Sequence, residues 1–306
     1  MNDEKLRRKI AIIGAGAVGS TTAYSLMIKN LAAEIILIDV NKDKEQGEVL
    51  DMSDALCFAD TGCVKAGSYT DVKSADIIIL TAGVAQKPGE TRLDLVSKNK
   101  AIVSSIFKEI GEIKQNAIII VVSNPVDIIT YQVQEISGLP KNQVFGTGTS
   151  LDSARLRFNL AKHFNVDAKQ VDGFVFGEHG DSEFVAWSTV NIAGKKIAES
   201  LNEQEMEKIS EEIKNEAYEI IKEKGATYYG IAMTILDIVE AIIFDQNKIL
   251  PVSYRLSDWN GVSDICLGAT AIVGSGGIVK AWPIELTEAE KIKFQASAEK
   301  IREYLK

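Results

Sequence analysis

The sequence predicts an α/β protein: a doubly wound parallel sheet over residues 1–149, followed by an α+β domain over residues 150–306. Three observations predict it. Short β-branched runs alternate with amphipathic stretches through the first half, the first run ends in a glycine-rich turn, and the texture changes at Ser150. The runs are KIAIIG (9–14), EIILID (34–39), ADIIILTAG (75–83) and NAIIIVVSNP (116–125), with QVFGTGT (143–149) as a fifth candidate. Strands buried on both faces need near-continuous apolar runs of this length, and helices between them make the sheet parallel. After Ser150 come a helix pattern, LDSARLRFNLAKHF, a strand pattern, VDGFVFG, and a charged helical segment, NEQEMEKISEEIKNEAYEIIKEKG (202–225). No repeat or proline-rich linker separates the halves, so the boundary near residue 149 is a change of pattern.

A chain of 306 residues suits two closely packed domains, and 46% apolar against 25% charged residues is enough material for a large core. The net charge of -9 argues against nucleic acid or an anionic membrane as partner, because either needs a basic face. An anionic small molecule would need arginines placed locally. Three cysteines, Cys57, Cys63 and Cys266, with no C-x-x-C pair, predict neither a disulfide framework nor a zinc site. They are expected to be small buried hydrophobes in a reducing compartment. The opening MNDEKLRRKI lacks a signal-peptide apolar stretch, and no run approaches the ~18 residues of a membrane span. A cytoplasmic location is therefore expected, and no bound metal.

The glycine-rich turn, GAGAVG, carries the first chemistry. Gly14, Gly16 and Gly19 stand at G-x-G-x-x-G spacing just before the helical stretch STTAYSLMIKN. Such glycines allow a tight turn and let a pyrophosphate approach backbone N–H groups at a helix N-terminus. Asp39 ends the second run 20 residues after Gly19, where a carboxylate can accept both hydroxyls of an adenosine ribose. This is the pattern of a Rossmann-type domain, and the acid favours NAD over NADP because it repels a 2′-phosphate.

The second candidate is a histidine. The chain has only two, His163 and His179, and His179 stands between glycines in GEHGD. Histidine trades a proton near neutral pH, which suits acid/base work. In LDSARLR, Asp152 and Arg155 are three apart on a predicted helix and share a face. Arg155 can grip a carboxylate with two parallel hydrogen bonds, and Asp152 can accept the Nδ1–H of His179 and favour its charged form. Glu178 and Asp181 are assigned to holding the turn. His163, near a helix end, is expected to be solvated.

Five stretches together, AGVAQKPGETRLDLV (82–96), VVSNPVD (121–127), GTGTSLDSARLR (146–157), GEHGDSEF (177–184) and KGATYYGIA (224–232), resemble the L-lactate and L-malate dehydrogenase family along nearly the whole chain. The resemblance implies an NAD-binding domain (1–149), a substrate domain (150–306), and reversible hydride transfer between NADH and a small 2-oxo acid. It implies His179 as proton donor and acceptor, Asp152 as its partner, and Arg155 as the clamp on the substrate carboxylate. Residues 83–96 read as a lid that closes over the substrate and brings in Arg92, the carbonyl-polarising arginine by position. Asn124 is implied at the reacting oxygen and Thr227 at the substrate. Gly14, Gly16, Val18, Gly19, Asp39, Thr81, Gly83, Ser123, Asn124 and Ile231 are implied at the cofactor. Gln86 occupies the lid position where malate enzymes carry an arginine, and a neutral amide there favours pyruvate over oxaloacetate. Malate dehydrogenase or another 2-hydroxyacid dehydrogenase is the alternative. A cofactor-binding protein without catalysis would be expected to have lost part of the Arg92, Asp152, Arg155 and His179 set, which is intact.

By the same resemblance the enzyme is a homotetramer. Many bacterial members are activated by fructose 1,6-bisphosphate through an arginine two residues after the substrate arginine and a histidine seven before the catalytic one. Arg157 fills the first position, but Asp172 stands at the second, where it would repel a phosphate. Weak or absent activation is expected.

Overall fold

In a computed structural model, residues 8–59, 62–84 and 92–305 are described, with Arg92 described in its backbone only. The first half runs β1 (Lys9–Ile13), α1 (Ala17–Ile28), β2 (Glu34–Ile38), α2 (Lys42–Ala55), β3 (Cys63–Ala66), α3 (Tyr69–Val72), β4 (Ile77–Leu80), α4 (Arg92–Ile110), β5 (Ile118–Val121), α5 (Val126–Ile136) and β6 (Val144–Gly146). Its six strands pair in parallel in the order β3-β2-β1-β4-β5-β6. Every residue of β4 and β5 is buried, which is why these runs are almost wholly isoleucine, leucine and valine. Two apolar clusters, one on each face, hold the sheet between helices. Each fully buried isoleucine contributes roughly 1.5–3 kcal/mol.

The second half runs α6 (Ser150–Phe164), β7 (Val171–Asp172), β8 (Val175–Phe176), β9 (Phe184–Val185), β10 (Asn191–Ile192), β11 (Lys195–Lys196), α7 (Glu203–Lys224), α8 (Tyr229–Ile243), β12 (Lys248–Arg255), β13 (Cys266–Gly274), β14 (Gly277–Ala281) and α9 (Glu288–Leu305). β12 pairs antiparallel with β6 at Ser253 and Gly146, so β12, β13 and β14 extend the first-half sheet to nine strands. The sheet thus runs across residue 149. Part of the C-terminal half is built onto the edge of the N-terminal one.

Three local expectations are corrected. VDGFVFG forms two short strands in different sheets, β7 with β10 and β8 with β9, because the chain turns at Gly173 against Val190 and Leu156. β3 has no counterpart among the apolar runs because it is a partly exposed edge strand, where a lysine is tolerated. Of the cysteines only Cys266 is buried; Cys57 and Cys63 are exposed, since they flank that same edge.

The fold places the chemistry at one end of the sheet. The segments after β1, β2, β4, β5 and β6 all leave its carboxyl edge, and the strand order reverses between β1 and β4, where open α/β sheets bind their ligands. α6 starts directly after β6, and its Ser153 hydroxyl accepts from the Val175 N–H of β8 (2.9 Å). Thr149 donates to the Val175 carbonyl (2.6 Å). These bonds fix β8, and with it the loop bearing His179, against α6.

Candidate active site

The glycine turn after β1 is tightly built. Gly14 has φ +113°, and a Cβ there would lie 2.7 Å from Thr81 Oγ1. A Cβ on Gly19 would lie 1.8 Å from the Gly14 carbonyl, so α1 packs directly on the turn. Gly16 faces open space, as close approach of a phosphate requires. Val18 packs against the apolar core. The Asp39 carboxylate accepts from the Ala15 N–H (2.6 Å) and the Asn41 N–H (2.8 Å). A carboxylate has about four acceptor sites, so two remain for a ribose. Gly14, Gly16, Asp39, Thr81 and Gly83 line a cavity of about 460 Å³ beside Tyr69. Donors, open space and acid fit a dinucleotide.

The Thr81 and Ser123 hydroxyls serve the loops themselves. Thr81 donates to the Ile13 and Gly14 carbonyls, and Ser123 to those of Leu80 and Ala82. Together they bind the segments after β1, β4 and β5 into one rim. Asn124 follows, joined to Pro125 by a cis peptide.

Opposite this rim lies the acid/base pair. His179 Nδ1 sits 2.7 Å from Asp152 Oδ2, while Asp152 Oδ1 accepts from Arg155 Nη1 at 2.9 Å. Side-chain exposure is 1% for Asp152, 7% for Arg155 and 27% for His179, so the pairs are screened from water and only the imidazole is part-open. With Nδ1 engaged, Nε2 is the nitrogen left to meet a ligand. The Asp152 charge pushes His179 up to about 9 against the opposing effect of burial. Burial disfavours charge on Asp152, but His179 and Arg155 outweigh it and hold its carboxyl below the usual range. His179 is therefore an imidazolium at neutral pH, poised to give a proton.

Asn124, Asp152, Arg155 and His179 line one cavity of about 360 Å³, with Leu95 on α4 and Lys214, Ala217, Tyr218 and Ile221 along one face of α7. The sequence-predicted residues thus converge, with exceptions. Gln86 lies outside the described residues, as does the Arg92 side chain; the helix that Arg92 begins reaches this cavity through Leu95. Thr227 and Ile231 are half-buried beyond the end of α7 and are not among the cavity's lining residues. Arg157 lines a separate cavity with Lys29, and its Nε donates to the Ser153 carbonyl, while Asp172 is exposed on β7. His163 is exposed in the last turn of α6.

Two family models match the chain: the lactate/malate dehydrogenase NAD-binding domain over residues 8–146 and the lactate/malate dehydrogenase α/β C-terminal domain over residues 149–306. The chain belongs to the lactate/malate dehydrogenase family. An L-lactate dehydrogenase of Clostridium botulinum is 45% identical over 97% of this chain and 96% of its own length. L-lactate dehydrogenase 1 of Clostridium acetobutylicum is 45% identical over 98% of both. The solved minor L-lactate dehydrogenase of Enterococcus mundtii superimposes with a TM-score of 0.94 at 42% identity, covering 98% of each chain. The cofactor of this family's N-terminal domain is NAD, in agreement with the cavity beside Asp39.

In this family member, the roles of Asn99, Asp127 and Glu183 escape sequence reasoning, and Glu178 is tied further than its own turn. Asn99 on α4 receives the Val84 N–H (2.9 Å) and donates to the Val84 carbonyl (3.2 Å) and the Asn124 carbonyl (2.7 Å). It ties the segment at Val84 to the Asn124 loop, and Gly83 leaves it room. Asp127 accepts from the His179 backbone N–H (3.0 Å) and the Ser253 hydroxyl, anchoring the catalytic loop to α5 and β12; burial pushes it up to about 6. Glu178 accepts from Ser182, and its own N–H donates to Ser297 on α9 (2.7 Å). Glu183 packs beside His179. Asn99, Asp127 and Glu183 gain their partners from distant parts of the chain or from tertiary burial, which no local spacing announces. Asp152, His179 and Glu183 present ligand atoms within 4.8 Å of one another, but Asp152 is already engaged by His179 and by the Arg155 cation, which disfavours a metal there.

Proposed function

We propose that the protein is an NAD-dependent L-lactate dehydrogenase, reversibly reducing pyruvate to L-lactate. The observation that carries this reading is the buried Arg155–Asp152–His179 chain, which sets a carboxylate clamp and a charged acid side by side in one cavity. NADH, held by the Gly14–Gly19 turn and Asp39, supplies the hydride. Arg155, whose Nη1 is held by Asp152 and whose Nε faces Glu216 at 3.6 Å, orients the substrate carboxylate. His179 hands its Nε2 proton to the carbonyl oxygen, and the neutral imidazole keeps its Nδ1–H on Asp152. Asn124 and the lid residue Arg92 stabilise charge developing on that oxygen, worth roughly 10²–10³ in rate per lost donor. Thr227 completes the substrate side and Ile231 the nicotinamide side once the lid is closed.

Gln86 supports pyruvate over oxaloacetate, since a second carboxylate would meet a neutral amide at the position where malate enzymes carry an arginine; a malate dehydrogenase is therefore the less favoured reading. We further assign domains at 1–149 and 150–306, a homotetramer in the cytoplasm, and weak or absent activation by fructose 1,6-bisphosphate. Exposed apolar side chains on adjoining helices, Tyr24 on α1, Leu50 on α2 and Tyr229 and Met233 on α8, support assembly. Three unpaired cysteines support a reducing compartment, and no helix among the described residues is long and apolar enough to cross a membrane.

The test is loss of NADH absorbance with pyruvate, with the product identified as L-lactate. His179→Gln should lower turnover by about 10²–10⁴-fold while NADH still binds. A folded variant with near-normal turnover would contradict the reading.

A further inference from the structure

Glu183 lies four residues beyond His179, and its carboxyl is buried, with 7% side-chain exposure. Its Oε2 is 3.8 Å from His179 Nδ1, on the edge of the ring that Asp152 already occupies at 2.7 Å. The ring's single Nδ1–H belongs to Asp152 by distance. Glu183 is thus a second carboxyl facing an imidazole whose hydrogen bond is taken, in a cavity it shares with Arg155. The Asp152 and Glu183 ligand oxygens lie within 4.8 Å of one another, and like charges so placed in a buried site repel, which disfavours a second negative charge on the pair. Asp152, held by both His179 and Arg155, carries the first.

We propose that Glu183 is a positioning residue of the pyruvate site: it faces His179 as an uncharged acid, and the anionic substrate binds only while Glu183 keeps its proton. This rests on the pyruvate reading above. An ionised Glu183 would compete with the substrate carboxylate for Arg155 and add a charge where the site must accept one. The electrostatic surroundings agree. Burial, and then the Asp152 charge, push Glu183 up to about 8, against the weaker pull of His179, Arg155 and a backbone hydrogen bond from Gly180. The charged groups around it are Asp152 and Arg155 from α6, His179 and Asp181 from its own loop, Lys214 from α7, and, across a second cavity that Glu183 also lines, Glu203, Glu207 and Glu211 of α7 and Lys293 and Lys300 of α9. That second cavity, about 730 Å³ between α7 and α9, gives the carboxyl a route to exchange its proton while substrate fills the first.

The test compares the pH dependence of the pyruvate KM in wild type and Glu183→Gln, which keeps the neutral shape and cannot ionise. With titrations near 8 for Glu183 and 9 for His179, the wild-type KM should rise at least about tenfold between pH 7 and 9, and that of Glu183→Gln only about two- to threefold. Superimposed profiles, or a variant limb moved to lower pH, would overturn the proposal; a wild type that does not reduce pyruvate would instead overturn the functional reading. If the variant does not fold, wild type alone decides. Binding of oxamate, the unreactive amide isostere of pyruvate, to the NADH complex at pH 8 should take up about half a proton, read by calorimetry in buffers of different ionisation enthalpy. An uptake of about a tenth, all that His179 alone would give, would exclude Glu183.

Discussion

Asp152→Asn separates charge from shape at the heart of the site. The asparagine fills the same space between His179 and Arg155 and removes the negative charge that is the largest cause holding His179 at about 9. The interval between about 9 and the ordinary 6.5 corresponds to about 3 kcal/mol of preference for the imidazolium. With that charge gone, burial is opposed only by Glu183 and Asp127, and His179 should move down from about 9 toward 6.5. At pH 7.5 the protonated fraction would fall from nearly all toward about a tenth, so pyruvate reduction should lose up to about tenfold in kcat/KM. Because the pair raises the folded-state value above the unfolded one, its stabilisation is complete below about pH 6.5 and fades as pH rises through about 9. The gap in urea midpoint between wild type and variant should therefore narrow from pH 6.5 to 10. The chain has only two histidines, so NMR of histidine-labelled protein reads the His179 titration directly. A variant His179 still titrating above about 8 would refute the assignment of Asp152 as the source of the charge.

Three further outcomes are expected. Gln86→Arg should raise oxaloacetate specificity relative to pyruvate by about one to two powers of ten, because one charge-assisted bond is worth roughly 1.5–3 kcal/mol; steady-state kinetics on both substrates checks it. Asn99→Ala leaves the Val84 N–H and two carbonyls of the cofactor rim without their partner, which should cost about 1–3 kcal/mol in denaturant unfolding and weaken NADH binding in a fluorescence titration. Fructose 1,6-bisphosphate at sub-millimolar concentration should change the pyruvate KM by less than about tenfold, since Asp172 offers a phosphate no differential attraction between states.

What the sequence makes legible is what lies close along the chain. Gly14, Gly16 and Gly19 announce the turn, Asp39 its acid, and the i, i+3 spacing of Asp152 and Arg155 the shared helix face that places both in one cavity. The parallel strands were readable because burial on both faces forces uninterrupted apolar runs. β12, β13 and β14 were not, because β12 carries Pro251 and Ser253 and β13 carries Gly268 and Thr270 among its apolar residues, and their place beside β6 depends on pairing residues more than a hundred apart. Asp127 reads locally as an acid in the first turn of a helix. Its role comes from Ser253 and from the His179 backbone, 126 and 52 residues away. Glu183 sits inside the histidine motif, but its setting comes from α6, α7 and α9, which lie far along the chain.

The central claim is that the site reduces a 2-oxo monocarboxylic acid with NADH, selected by Arg155 for one carboxylate and by Gln86 against a second. The specificity constants for pyruvate and oxaloacetate, measured side by side with NADH and with NADPH, test it most directly. Pyruvate with NADH should give the highest kcat/KM of the four combinations. A higher value for oxaloacetate would contradict the role of Gln86, and a higher value with NADPH would contradict that of Asp39.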